Sequence, residues 1–362
     1  YTCKHKLYIL FGFIIMIKVI IMKITTKEVQ NVTAQIDEIV DKYNEKQEDK
    51  KRDWRTYEQQ FAHRVRIAYM ELEPLVCEAV KSLITVKGET RGAKPELPLV
   101  KRVLLLLIKH IIQKSNRDME AMLVLFSCLS DVDVSYKTIE RLYSDQEVLC
   151  VLHNLHQLIL RKKGVEKVDG GGDGTGYALT VKKNYESEAQ KLKDQIKTAS
   201  SEDKTKKHKK RIFIYAFNLI DIKTNMYVAT GTSFKSEKKA FESALAMAKD
   251  LDIDIESLRL DKYYSAQKYV KRIEYALGTV KLYLIPKKNA TIKGSWTWKR
   301  MLYRFVQDTE AYLKEYFQRN KSESGFAQDK KRCGWKLGQK REDRLDTANF
   351  LTSLWHNLYN LG

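Results

Sequence analysis

Residues 316–330 read YFQRNKSESGFAQDK, and the reading of the whole chain turns on them. Tyr316, Arg319, Glu323 and Lys330 stand at offsets i, i+3, i+7 and i+14. On a single helix, at about 100° per residue, they fall within an arc of roughly 60°. A phenol, a guanidinium, a carboxylate and an ammonium aimed at one place suit an anionic polymer held beside a metal ion. Two upstream aspartates, Asp173 and Asp261, are each expected at the end of a strand-like run.

Working outward, the strands and helices alternate after Gly164. Val165 to Asp173 reads as a strand entering a Gly-rich turn, and Tyr177 to Val181 as another. The charged stretch 182–211 reads as a basic, solvated insertion. Ile212–Leu219 and Met226–Thr232 pair around a turn at Asp221–Asn225. Ser236 to Leu251 is an amphipathic helix with Phe241, Ala244 and Ala248 on one side. Leu258–Leu260 is a short strand leading to Asp261, a helix follows to Leu277, and Val280–Ile285 is a strand stopped by Pro286. The remainder is helical from about Trp296. This is an α/β layout, a mixed sheet with helices on both faces, in which strand ends and a late helix converge. Three carboxylates meeting there repel one another, so the cluster asks for divalent cations. Hard oxygen ligands favour Mg²⁺ or Mn²⁺ over zinc. Two such ions drive in-line phosphodiester displacement. The glycines beside Asp173 leave room for a DNA backbone.

From Ile24 to about Leu160 the chain reads as helices, interrupted by the turn-rich stretch 87–98. Ser115 is a candidate cap for a helix starting near Asn116, and Ser135 for one starting at Tyr136. Two short helices around a tight turn, the second bearing Lys137 and Arg141, suit a helix-turn-helix reader of DNA; plain bundle packing gives the same pattern.

Composition agrees. The chain has 362 residues, room for two domains, and 43% hydrophobic residues, enough for a core. Its formal charge is +20, beyond the magnitude of about 2–8 that solubility asks of a small domain. That points to nucleic acid or an anionic surface, with a merely lysine-rich composition as the plain alternative. Cys3, Cys77, Cys128, Cys150 and Cys333 are scattered, which argues against a disulfide framework or a zinc ribbon and suits a reducing cytosol. His153 and His156 read as helix decoration. The apolar run Leu7–Met22 is shorter than the ~20 residues of a spanning helix. It has no small-residue cleavage site, which argues against a signal peptide. Residues 1–21 read as sequence translated ahead of a start at Met22, with no membrane expected and a membrane anchor as the lesser reading.

The spacing Tyr316-x2-Arg319-x3-Glu323-x6-Lys330 resembles the Y-(2)-R-(3)-E-(6)-K signature of DDE transposases from a large group of bacterial and archaeal insertion sequences. Asp173 in Gly-Asp-Gly-Thr-Gly looks like that family's first aspartate, and Asp261 in Leu-Asp-Lys-Tyr-Tyr-Ser like its second. The resemblance covers roughly residues 165–362. It implies a ribonuclease H-like catalytic domain preceded by an all-α DNA-binding and dimerisation region at 22–160. It also implies that Asp173, Asp261 and Glu323 hold two Mg²⁺ or Mn²⁺ ions, while Tyr316, Arg319 and Lys330 contact transposon-end DNA. The implied activity is endonucleolytic cleavage at terminal inverted repeats and joining of 3′ ends to target DNA. A homodimer in a synaptic complex, in the cytoplasm at the nucleoid, would carry it out.

Two departures are visible. Ser324-Gly325 follows the glutamate directly, a candidate point for the helix to bend and take Lys330 off the stripe. The interval from Asp261 to Glu323 is too short for the strand-rich insertion of some relatives. Plain readings stand beside the functional ones. Asp169 rivals Asp173, Asp261 could be a cap, and Arg319 with Glu323 could be an ordinary i, i+4 pair. Lys287, Lys288, Lys293, Lys299 and Arg300 surround Trp296 and Trp298, a basic and aromatic surface suited to a DNA strand. The two rings cannot share one helix face. The basic tail from Lys330 to Arg344 is a second phosphate-binding candidate. A non-catalytic, transposase-derived DNA-binding protein is the alternative reading. The glycine run lacks G-x-x-x-x-G-K-[ST], which argues against a nucleotide loop.

Overall fold

The computed structural model describes residues 24–45, 53–83, 97–130, 132–179, 213–339 and 341–362. The apolar segment 1–21, the basic insertion 182–211 and most of the stretch 87–98 lie outside the described residues. By internal contacts the chain divides into two units. One takes its described residues from 24–45 and 257–318, the other from 53–256 and 319–362.

Seven helices precede the first strand among the described residues: α1 (Thr26–Ala34), α2 (Ile36–Glu45), α3 (Trp54–Lys81), α4 (Leu99–Ile112), α5 (Asn116–Ser130), α6 (Tyr136–Leu142) and α7 (Gln146–Lys162). Their starts are set by side chains that take up orphan backbone donors. Ser115 Oγ accepts from the Asp118 N–H at 3.1 Å, and Ser135 Oγ from the Thr138 N–H at 3.4 Å, as the sequence anticipates. Thr25 and Glu28 close a capping box on α1. Arg102 of α4 forks onto Asp145 at 2.7 Å and Glu147 at 2.6 Å, which fixes the start of α7.

The sheet has five strands in the order β3-β2-β1-β4-β5: β1 (Lys167–Ala178), β2 (Phe213–Asp221), β3 (Met226–Ser233), β4 (Asp254–Arg259) and β5 (Lys281–Tyr283). β1–β2 and β2–β3 are antiparallel and β4–β5 is parallel, so the sheet is mixed. The division between the units falls within β4, after Glu256. The expected strand end and Gly-rich turn after Asp173 do not occur. β1 runs unbroken through its glycines, with Asp173 in mid-strand opposite Asn218. Glycine's entropy cost is outweighed here, because β2 pairs with β1 continuously from Gly170 to Ala178.

The second unit closes around α13 (Glu342–Tyr359), which buries Leu345, Phe350, Leu351, Leu354, Trp355 and Leu358. Each such side chain contributes about 1.5–3 kcal/mol of burial. This helix packs on α3, α4, α7 and β3, and Trp355 Nε1 donates to the Leu107 carbonyl at 3.0 Å. Helix α8 (Glu237–Asp250), capped by Ser236, lies on β2 and β3. At Gly231 an added Cβ would stand 2.0 Å from the Ala240 carbonyl oxygen, so only glycine permits this approach.

In the first unit a 3₁₀ turn (Lys262–Tyr264) leads to α9 (Gln267–Leu277), and β5 is followed by α10 (Trp296–Gln307) and α11 (Thr309–Tyr316). Tyr312 of α11 is buried, donating to the Leu284 carbonyl at 3.0 Å and accepting from its N–H at 2.8 Å. Arg259, 1% exposed, lies 4.9 Å from the Tyr283 ring centre and pairs with Glu315. No helix among the described residues is long and apolar enough to cross a membrane.

Candidate active site at Asp173, Arg319 and Glu323

The segment 316–330 is not one helix. Helix α11 ends at Tyr316, a 3₁₀ turn spans Phe317–Arg319, and α12 (Asn320–Cys333) begins afterwards. The Phe317 ring is drawn onto Tyr43, with centroids 5.2 Å apart, and the unit division falls just beyond it. The stripe therefore parts: Tyr316 belongs to the first unit, and Arg319, Glu323 and Lys330 to the second. Tyr316 is 4% exposed and meets Phe317 edge-on. The expected bend at Ser324-Gly325 is absent. Gly325 lies under Tyr227, whose Oη would be 2.6 Å from an added Cβ, and α12 continues to Cys333.

Arg319 brings two of the anticipated residues together. Its Nη1 lies 3.1 Å from Asp173 Oδ2 and its Nη2 2.9 Å from Glu323 Oε1. Asp173 Oδ1 accepts from the Gly174 N–H at 3.0 Å. Burial pushes the Asp173 carboxyl up to about 6, with Glu323 and Glu237 adding to the rise and Arg319 and the Gly174 N–H opposing it. Glu323 is half exposed and reachable from solvent.

Glu237 was not anticipated. It opens α8 directly after the Ser236 cap, and its carboxyl group lies over Gly174, whose added Cβ would stand 2.3 Å from Glu237 Cδ. Ser236-Glu237 announces a helix start in sequence, but only the sheet order shows that this start faces β1.

Asp261, in the other unit, is half-buried and caps the 3₁₀ turn, accepting from the Tyr263 N–H at 3.4 Å. Lys330 is 5% exposed, with Nζ 4.9 Å from the Trp335 ring centre and 5.9 Å from that of Tyr177. Lys137 and Arg141 are both exposed on α6, whose Ile139 and Leu142 are buried. Trp298 is buried, its Nε1 donating to the Thr291 carbonyl at 2.8 Å, whereas Trp296 is 46% exposed with Lys299 and Arg300 over its ring. His156 is buried and lies 3.1 Å from the Val228 carbonyl oxygen, and His153 stacks on Phe350.

A buried polar cluster holds α12 in place. Tyr227 Oη donates to Asp329 Oδ2 at 2.8 Å, and His356 Nδ1 lies 2.7 Å from Asp329 Oδ1. His356 Nε2 lies 2.9 Å from the Asn225 carbonyl, and its ring stacks on Tyr227 at 3.7 Å. No sequence spacing announces this cluster, which joins β3, α12 and α13.

Among the described residues no three His, Cys, Asp or Glu side chains are grouped closely enough to hold a metal ion by themselves. Asp173 and Glu323 nevertheless fit one chemically. They are oxygen donors on either side of one guanidinium, which now supplies the positive charge between them.

No protein-family model matches the chain, and no solved structure does. A curated protein of Archaeoglobus fulgidus does match. Described as a probable transposase for insertion sequence element ISA1214, it is 41% identical over 339 residues, covering 93% of this chain and 97% of its own length. By that likeness, sustained over nearly the full length of both, the chain belongs to this family of insertion-sequence transposases.

Proposed function

We propose that the chain is a DDE transposase of the group with the Tyr-Arg-Glu-Lys signature. It would cleave the terminal inverted repeats of its own element and transfer the freed 3′ ends to target DNA. The observation that carries this reading is Arg319 forked between Asp173 and Glu323, three residues from the two motifs meeting at one point. The sheet order, with three antiparallel strands followed by a parallel pair, supports the ribonuclease H-like reading.

Asp173 and Glu323, with Asp261, would hold two Mg²⁺ or Mn²⁺ ions. When bound, these activate a water or 3′-hydroxyl and stabilise the leaving oxygen. Arg319, whose planar fork matches a phosphate as well as a carboxylate, would release the carboxylates and engage the scissile strand. Ionised Asp173 supplies the negative charge that cation binding needs. Lys137 and Arg141 would sit against end DNA, and two copies would hold two ends together.

The test is incubation of the full chain with DNA flanking its own gene, in Mn²⁺ or in EDTA, beside Asp173→Asn and Asp261→Asn. Cleavage at defined ends that needs the metal and both aspartates is expected. Tight end binding with no cutting in any metal would instead identify a DNA-binding derivative, and neither binding nor cutting would overturn the reading.

A further inference from the structure

Helix α3 exposes an i, i+4 ridge made of Trp54, Glu58, Ala62, Arg66 and Met70. Trp54 is 63% and Met70 65% exposed, unusual for side chains of that size. Beside the ridge a shallow groove is lined by Phe61, Ala62, Val65, Arg66, Tyr69 and Met70. Tyr57 stacks on Phe61, so the groove edge is an ordered aromatic wall. Among the described residues neither Glu58 nor Arg66 takes part in an ion pair, and both are exposed.

The ridge is self-complementary about its smallest member. Read outward from Ala62, a carboxylate stands four residues to one side and a guanidinium four to the other, with a large apolar side chain beyond each. Two such helices crossing antiparallel at Ala62, i±4 ridge against i±4 ridge, bring Glu58 of each copy beside Arg66 of the other. A two-fold axis repeats every contact, so two ion pairs flank one small-residue crossing. Trp54 and Met70 close the ends over the groove.

We propose that α3 is the contact through which two copies of this chain associate. The surface stands on the residues of α3 alone and is independent of the reading of Asp173 and Glu323. One helix crossing lies at the small end of protein interfaces, so the dimer dissociates in roughly the micromolar range.

The experiment is sedimentation velocity of the full chain across concentration, without DNA, for four proteins. These are the unaltered chain, Glu58→Arg, Arg66→Glu and the double reversal, each checked for unchanged circular dichroism. The unaltered chain dimerises, each single reversal weakens the dimer on the order of tenfold or more, and the double reversal restores it. A monomer at all concentrations, or a dimer indifferent to both single reversals, overturns the proposal. Unchanged association with weakened end-DNA binding in Arg66→Glu also overturns it, and makes the face a nucleic-acid surface.

Discussion

Arg319 lies 3.1 Å from Asp173, the acid whose carboxyl burial pushes up to about 6. The ionised form of Asp173 is thus held in the fold at a cost, and its charge is balanced locally by one guanidinium. A raised acid contributes stability below its unfolded value and loses it as pH rises through the folded value. The loss therefore falls between about pH 4 and pH 6.

Asp173→Asn removes that penalty. Thermal unfolding at pH 7.5 should show a gain of about 2–3 kcal/mol over the unaltered chain, shrinking to nothing below about pH 4. End cleavage by the same protein should be abolished, and at subsaturating metal cleavage by the unaltered chain should fall as pH drops through about 6, the limb moving lower as metal is raised. A melting temperature unchanged at neutral pH would contradict the assignment.

Arg319→Ala leaves Asp173 and Glu323 without the guanidinium between them. The Asp173 carboxyl rises further, so the acid limb of cleavage moves to higher pH and the rate falls by about 10²-fold or more. Arg319→Lys should rescue little, because an ammonium cannot span two carboxylates. Full activity in the lysine protein would show that the fork is unimportant.

Glu237→Gln deletes a negative neighbour of Asp173 while keeping its volume. The acid limb should shift to lower pH, opposite in direction to Arg319→Ala. Gly174→Ala, which drives a methyl into the Glu237 carboxyl, should reduce cleavage and stability together. A pH profile identical to that of the unaltered chain would remove Glu237 from the site.

Asp329→Ala leaves His356 and Tyr227 facing a buried void. Chemical denaturation should show a loss of about 3 kcal/mol. Cys333, buried at the far end of α12, should become accessible to a thiol reagent before global unfolding. A loss under about 0.5 kcal/mol, the level of an ordinary surface change, would mean the cluster does not anchor α12.

Lys137→Ala with Arg141→Ala should weaken end binding and reduce the salt slope by about 2, with no change in melting temperature. Both side chains are exposed on a helix whose buried face is left intact. An unchanged slope would place the DNA elsewhere on the chain.

The legible parts of the sequence were those decided within a few residues. Ser115 and Ser135 mark helix starts because a cap acts over three residues. The hairpin at Asp221–Asn225 and the split fate of Trp296 and Trp298 follow from periods of 2 and 3.6. What was not legible depends on partners far along the chain. β1 continues through its glycines because β2 pairs with it, and the helix stops at Tyr316 although residues 317–319 contain no breaker. Glu237 reaches Asp173 only through the sheet order, and Asp329 meets His356 across 27 residues. Arg319 and Glu323 looked like a local pair; the third member, Asp173, arrives from another strand.

The first unit is built from two stretches of chain that are far apart in synthesis. Gln30 reaches the Ala290 carbonyl, Thr26 the Ile292 N–H, and Tyr43 the Phe317 ring. At roughly 5–20 residues per second, helices α1 and α2 leave the ribosome some ~10–60 s before these partners exist. During that interval the apolar faces at Val29 and Ile36 have no native cover. The nascent chain must therefore carry an exposed, early-made segment through most of its translation, and folding of this unit waits for residues 257–318.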